Sequence, residues 1–204
     1  GSVLPHARAP EQHASIKRST QIFTPRSEVR ACLADLGARK AAFSPLPDRY
    51  FSAGCSTLGT VQLDKLKSDH ANLALSNLGP VTCPLADTFA AWARFGADRA
   101  QQILGSPIVR IETMGSYNCR NVAGSSRRSA HARAEAIDIS GFVLADGRRI
   151  TVAGNWNDKS PRVRQFFTAV HASACKRFGT VLGPAYNAAH RDHLHVELGG
   201  RSFC

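Results

Sequence analysis

The sequence is short of aromatic and acidic residues and has no long apolar run. Aromatic side chains make up 7% of its 204 residues. No apolar segment approaches the roughly 20 residues that a membrane-spanning helix needs, so no membrane span is expected. The few aromatics are not interleaved with basic residues in any known RNA- or DNA-binding module, which argues against nucleic acid as a partner.

Cys-x-x-Cys pairs are also absent, which argues against a thiolate zinc site. The cysteines number six, and an even count favours up to three disulfides. Because disulfides persist in oxidising compartments, the sequence predicts a secreted or periplasmic protein. Gly1 and Ser2 have the appearance of a cloning scar, so an export signal is expected to have been removed. Six buried free thiols are the alternative.

The sequence does not determine how six cysteines pair. The simplest expectation is that neighbours along the chain are joined, which gives the pairs Cys32–Cys55, Cys83–Cys119 and Cys175–Cys204. The last of these would tie the end of the chain to a helix.

The chain is strongly basic. It has 26 lysines and arginines against 15 acidic residues, for a net charge of +11. Such a protein is attracted to polyanions such as nucleic acid, an anionic membrane surface or an anionic cell wall. For an exported protein, an acidic cell-wall polymer is the expected partner. Simple solubility explains the charge equally well.

The pattern along the chain predicts one folded domain. Residues 1–27 are polar and lack apolar periodicity, which predicts a flexible basic N-terminal arm before a single domain over 28–204. Helices are predicted over 28–38, 84–104 and 161–178. Strands are predicted over 60–64, 109–117 and 194–198, with a hairpin turn at Asp146-Gly147. The expected fold is α+β, with a small, mostly antiparallel sheet packed against helices.

Two short histidine clusters carry the strongest chemical signal. His131 and Asp138 lie seven residues apart, and His193 and His195 lie on a predicted strand whose polar face would point at a site. Two imidazoles and one carboxylate would give three ligands for one divalent metal and leave a position for water, the pattern of a catalytic zinc. The sequence therefore predicts a metal-dependent hydrolase. A hydrogen-bonded surface cluster of histidines is the alternative.

The pattern SxHxxxxxxD followed by HxH resembles the peptidase superfamily that contains lysostaphin-type enzymes, D-Ala-D-Ala metallopeptidases and hedgehog domains. Over residues 28–204 the sequence resembles the bacterial extensin-like C-terminal domain family. The matching segments are GSYNCR (115–120), AIDISGF (136–142), DGRRITV (146–152), SACKRF (173–178) and LGPAYNAAHRDHLHVEL (182–198). Related sequences usually have glycine three residues after the first ligand, where this chain has Ala134. This departure concerns the shape of the loop and not the ligands.

The resemblance implies three zinc ligands, which are His131, Asp138 and His195. It implies that His193 is the neighbouring base or transition-state stabiliser, and that His190 contacts the substrate or supports a ligand.

The resemblance also implies two substrate-contacting residues. Arg120 is similar to the arginine that related peptidases aim at the substrate, and Ser129 is similar to the serine of the SxH motif. An ordinary surface position is the alternative for Arg120. Three further carboxylates lie near the motifs: Glu135, Asp192 and Glu197. Of these, Asp192 could orient a ligand histidine.

The function implied by the resemblance is that of a periplasmic zinc endopeptidase acting on the crosslinks between peptidoglycan stem peptides. By analogy with related endopeptidases, an L,D crosslink is preferred slightly over the D,D type. A D,D-carboxypeptidase and a non-catalytic, metal-stabilised wall-binding protein are the alternatives. Nickel, cobalt or manganese could also occupy such a site. The protein is expected to be a monomer.

Overall fold

The structure, a computed structural model, describes residues 26–204. The predicted N-terminal arm, 1–27, lies outside the described residues except for Arg26 and Ser27, which begin the first helix. In the part of the chain that is described, none of the helices combines the length and apolarity that crossing a membrane requires.

Four α-helices lie within the described residues, and local residues mark the ends of the two longest. Pro84 lies in the first turn of the longest helix, and Gly105 ends it with a left-handed φ of 74°. Ser160 caps the C-terminal helix by accepting a hydrogen bond from the Val163 backbone N–H. The helices are α1 (Arg26–Ala38), α2 (Cys83–Leu104), the one-turn α3 (Val152–Asn155) and α4 (Pro161–Arg177).

Within the described residues, nine strands form one mixed sheet. They are β1 (Ala42–Pro45), β4 (Thr60–Lys67), β5 (Asn72–Ser76), β6 (Val81–Thr82), β7 (Ile108–Thr113), β8 (Ala136–Leu144), β9 (Arg149–Thr151), β10 (Thr180–Leu182) and β11 (Leu194–Glu197). The main path of the sheet runs β1-β4-β5-β7-β8-β11-β10, with β6 on β4 and β9 on β8. Only β5 and β7 run parallel. A separate hairpin pairs β2 (Arg49–Ser52) with β3 (Cys55–Thr57).

The core lies between this sheet and helices α2 and α4. Phe142, in β8, is fully buried, and its ring centroid is 6.0 Å from Trp92 and 5.3 Å from Phe166. The Trp92 indole N–H donates to the Val170 carbonyl at 2.9 Å and so joins α2 to α4. The central strand and both long helices therefore share one apolar cluster.

A β-bulge changes which side chains of β8 face the core. Glu112 pairs with Gly141 and Thr113 pairs with Ile139, which leaves Ser140 as an extra residue on β8. Ile139 and Phe142 are consequently both buried in the core. Asp138, which precedes Ile139, faces the opposite side of the sheet, because successive strand residues alternate.

Three disulfides join all six cysteines, so the prediction of disulfides rather than free thiols is confirmed. The expected pairing of sequence neighbours is correct for Cys175–Cys204 and wrong for the other four cysteines. Those form Cys32–Cys83 and Cys55–Cys119. The reason is topological: α1 packs against α2, and β3 packs against the turn at 130–133.

The predicted fold class is confirmed, but the sheet is more extensive than expected. The three predicted long helices, the three predicted strands and the β8–β9 hairpin are present, with ends shifted by a few residues. The strands β1, β2, β3, β5, β6 and β10 were not predicted. All of them are five residues or shorter, and such segments carry little periodicity.

Replacing Phe142 with alanine tests the shared core. The F142A variant should lose about 3–5 kcal/mol of unfolding free energy, because a fully buried ring shared by the sheet and both helices is removed. Denaturant unfolding under non-reducing conditions measures this loss. Tyr50→Ala, at an exposed position, is the control and should change stability by no more than about 0.5 kcal/mol. A Phe142→Ala loss as small as the control's would contradict the proposed role of this core.

Candidate metal centre

The candidate site is built on a cross-strand pair of β8 and β11. In their antiparallel register, Asp138 lies opposite His195. His195 Nδ1 is 3.0 Å from Asp138 Oδ1. Leu194 and Val196, which flank His195, are fully buried in the core. Because strand residues alternate between faces, burial of these two side chains turns His195 towards Asp138 on the face away from the core.

His131 approaches the pair from a short 3-10 turn, Ala130–Arg133, just before β8. Ser129 caps this turn, since its hydroxyl accepts a hydrogen bond from the His131 backbone N–H at 3.2 Å. Ala134 ends the turn with a φ of 56°, in the left-handed region that favours glycine. The alanine nevertheless adopts this conformation, so the turn keeps the shape that places His131 beside β8.

His131 presents an unsatisfied nitrogen to the site. Its Nε2 lies 3.1 Å from Asp138 Oδ2, yet it is buried and makes no hydrogen bond of acceptable geometry. A buried polar atom without a partner costs free energy. A cation held between this nitrogen and the carboxylate would remove that cost.

Both site histidines are held by a second group on the far side of the ring. His131 Nδ1 is 3.0 Å from the Ser116 carbonyl oxygen, and His195 Nε2 is 2.8 Å from Glu197 Oε2. With a metal bound, these oxygens would accept an N–H from each ring, and the other nitrogen of each ring would offer its lone pair to the metal. Histidines that bind metals are commonly oriented in this way.

The donor set fits a divalent metal. One nitrogen of each imidazole and one carboxylate oxygen lie within 4.8 Å of one another, in the group His131, Asp138 and His195. Two imidazoles and a carboxylate are typical ligands of catalytic zinc. A second group with similar spacing, His171 with Cys175 and Cys204, is no candidate because its two cysteines form a disulfide and supply no thiolate.

The electrostatics of the site also favour a cation. Burial raises the pKa of Asp138, but contacts with His131 and His195 outweigh it and hold this pKa well below its usual range. Burial disfavours the charged form of His195, whereas hydrogen bonds to Asp138 and Glu197 raise its pKa to about 9. Two carboxylates thus flank a single imidazole and stabilise positive charge between them.

His193 reaches the same carboxylate from the end of the preceding loop. Its Nε2 is 3.8 Å from Asp138 Oδ1, and its Nδ1 is 2.8 Å from Asp192 Oδ1. Asp192 therefore orients His193. This differs from the expectation that Asp192 could orient a ligand histidine. A histidine held by a carboxylate, with its other nitrogen facing the site, has the arrangement of a general base.

His190 lies beside the site in a row of rings that leads to the surface. Its ring centroid is 4.9 Å from that of His193 and 5.5 Å from that of Tyr186. Tyr186 in turn lies 4.8 Å from Phe203. Asn187 Oδ1 accepts from His190 Nδ1 at 2.6 Å, and burial lowers the pKa of His190. Contact between His190 and a substrate stays a prediction.

Arg120 and Ser129 lie on one irregular hairpin loop that leads into His131. Their backbones pair, with the Ser129 N–H donating to the Arg120 carbonyl at 2.8 Å. The disulfide Cys55–Cys119 holds this loop against the β2–β3 hairpin. The Arg120 guanidinium is exposed and contacts none of the ligand residues. Ser129 is buried and caps the His131 turn, so its contact with a substrate stays a prediction.

Two contributors to the site were not assigned a role from the sequence. One is the Ser116 carbonyl, for which no sequence signal exists because any residue has a carbonyl. The other is Glu197, whose side chain is 14% exposed. Its position in the alternation His193, His195, Glu197 does carry a signal, since residues two apart on a strand share a face. Glu135, the remaining nearby carboxylate, instead pairs with Arg133 at the surface.

Comparison with known proteins gives one family. Residues 30–204, almost all of the described chain, match the family described as extensin-like protein C-terminus. Searches of curated proteins and of solved structures find no match. The match covers every residue of the candidate centre, from Ser116 to Glu197, and all three disulfides. On this evidence the chain belongs to the extensin-like protein C-terminus family.

Proposed function

We propose that this protein is a zinc-dependent peptidoglycan endopeptidase that hydrolyses amide bonds in the crosslinks between stem peptides. The observation that supports this most strongly is the group His131, Asp138 and His195, with the far nitrogen of each imidazole held by an oxygen acceptor. The motif order is that of the superfamily of lysostaphin-type and D-Ala-D-Ala metallopeptidases. The preferred bond is the L,D crosslink, by analogy with related endopeptidases.

The side chains around the ligands suit hydrolysis of an amide. A bound zinc ion would polarise the scissile carbonyl and lower the pKa of a water molecule. His193, held through Nδ1 by Asp192, would accept a proton at Nε2 and return it to the leaving nitrogen. Arg120 would bind a carboxylate of the substrate through a charge-assisted hydrogen bond.

The surface around the centre has the composition of a binding site for an anionic polymer. Two exposed hydrophobic side chains of this surface are Tyr186, whose ring is 5.5 Å from that of His190, and Phe203, whose ring is 4.8 Å from that of Tyr186. Clustered exposed apolar side chains commonly mark binding surfaces. Residues 113–134 contain four arginines and no acidic residue, which suits the free carboxylates of stem peptides.

The exposed loops that lead to the site histidines favour an endopeptidase over a carboxypeptidase. Residues on both sides of the histidines are exposed, including 118–128 before His131 and 185–189 before His190. A crosslinked peptide continues beyond the scissile bond in both directions, so the site of an endopeptidase must be open to solvent on both sides. A carboxypeptidase would need a closed wall around the free carboxylate.

The three disulfides favour export, and we place the protein in the periplasm.

Crosslinked muropeptides test the activity directly. Incubation with the zinc-loaded protein should convert dimers to monomers whose masses identify the broken bond, and a chelator should abolish the conversion. Mass spectrometry measures both. Because His195 is a ligand in this proposal, His195→Ala should lose zinc and activity together.

Three results would contradict the endopeptidase proposal. Release of only terminal D-Ala from uncrosslinked pentapeptide would identify a carboxypeptidase. Wall binding with zinc present but no cleavage would favour the non-catalytic alternative. Cleavage that persists after complete removal of metal would exclude the proposed centre.

Replacing His193 separates proton transfer from metal binding. His193→Ala should lower kcat by about 100- to 10,000-fold, the usual contribution of a general base, while zinc stoichiometry stays that of the unmodified protein. Steady-state kinetics and metal analysis measure the two effects. His70→Ala is the matched control, because His70 pairs with Asp98 at the surface and should leave both values unchanged. Full activity in His193→Ala would remove His193 from the mechanism.

Arg120 is tested against another arginine of the same loop. Arg120→Ala should lower kcat/KM by about 10- to 100-fold, because a hydrogen bond to a charged group contributes about 1.5–3 kcal/mol. Arg127→Ala, which removes the same charge from an exposed position nearby, should change it by less than about threefold. Equal effects of the two substitutions would indicate general attraction of an anionic substrate and no specific contact with Arg120.

A further inference from the structure

We infer that Glu197 is the positioning residue of the metal centre and that the disulfide-linked C-terminal tail, residues 199–204, holds it in place. The inference rests on the proposed metal centre, since Glu197 acts through the ligand His195. Glu197 itself contacts no candidate metal position, because its carboxylate lies on the far nitrogen of that ring.

The two carboxylates around His195 have different positions. Asp138 approaches Nδ1 at 3.0 Å from the neighbouring strand, and Glu197 approaches Nε2 at 2.8 Å from the same strand as His195. Only Asp138 is shared with His131. A metal that takes Nδ1 and Asp138 as ligands leaves the Nε2–H hydrogen bond to Glu197 intact. Glu197 therefore fixes both the tautomer and the rotation of the ligand ring.

The C-terminal tail passes directly over the Glu197 carboxylate. Gly200 lies so close that a Cβ added there would overlap Glu197 Oε1, and its φ of 78° is left-handed. The backbone of the tail thus limits where the carboxylate can go. Only glycine allows this approach, because a larger residue would have both a steric and a conformational penalty.

The tail is in turn fastened to the fold at several points. The Thr180 hydroxyl donates to the carbonyls of Gly199 and Arg201, at 2.9 and 2.5 Å. Phe203 pairs with β10, since its N–H donates to Gly179 and its carbonyl accepts from Val181.

A disulfide completes this attachment. Cys204 is bonded to Cys175 near the end of α4, which packs on the core. A continuous set of contacts therefore runs from α4 through the tail to Glu197 and on to His195.

Glu197 variants test the inference through zinc affinity and a spectroscopic signal. Glu197→Ala should weaken zinc binding by about 10- to 100-fold, measured by competition with a chromophoric chelator. Glu197→Gln keeps an acceptor oxygen and should lose less than about tenfold. Glu135→Ala is the matched control, because Glu135 pairs with Arg133 away from the ligands and should not change affinity.

The His195 Nε2 proton gives a readout that general destabilisation would not change. In the unmodified protein, with or without zinc, it should appear as a slowly exchanging downfield imidazole resonance in NMR spectra. The resonance should be lost in folded Glu197→Ala. A folded Glu197→Ala protein with unchanged zinc affinity and an unchanged resonance would overturn the inference. If the unmodified protein binds no zinc, the proposed function fails, while the resonance still tests the Glu197–His195 bond.

The role of the tail is tested with a pair of glycine substitutions. Gly200→Ala should weaken zinc binding by about tenfold or more, because the new Cβ displaces the Glu197 carboxylate. Gly147→Ala introduces similar backbone strain, at a φ of 91°, in a turn where nothing lies within 4 Å. It should leave the affinity unchanged. Equal affinities in the two variants would show that the tail does not hold Glu197.

Discussion

The register between β8 and β11 is the constraint on which the candidate centre depends. It sets Asp138 opposite His195, and the bulge at Ser140 turns Asp138 away from the core. A slip of one residue would turn His195 towards the core and Leu194 and Val196 away from it, because strand side chains alternate between faces. Core packing and the geometry of the centre therefore depend on the same register, because the apolar contacts that stabilise the sheet also hold Asp138 opposite His195.

The parts of the site outside the sheet lack this support and are held by covalent bonds. The loop that carries Arg120 has many exposed residues, and Cys55–Cys119 ties it to the β2–β3 hairpin. The C-terminal tail has little apolar surface of its own to bury, and Cys175–Cys204 ties it to α4. Disulfides are well suited to such segments, since they limit the freedom of a loop without requiring a core beneath it.

The sequence indicated which residues of the candidate centre come together better than it indicated the pairing of the cysteines. Local spacing and strand alternation drew attention to the two histidine clusters, the family resemblance selected His131, Asp138 and His195 from them, and the structure places these three side chains together. The pairing of Cys32 with Cys83 depends on how α1 meets α2, which no local pattern reveals. Short strands such as β5 and β10 form because neighbours supply their partners, so their own residues show little periodicity. Glu197 had a usable signal in the alternation of β11.

The negative charges that would bind the metal and the positive charges that would attract the substrate lie on different residues around the centre. Asp138 and Glu197 bring two carboxylates to the centre, whereas the segment 113–134 has four arginines and no acidic residue. A divalent cation would balance the two carboxylates, with both ligand histidines neutral. The arginines would then dominate the electrostatic field at this surface, which reaches over a Debye length of about 8–10 Å. An anionic peptide would therefore be attracted more strongly to the metal-loaded protein than to the metal-free protein.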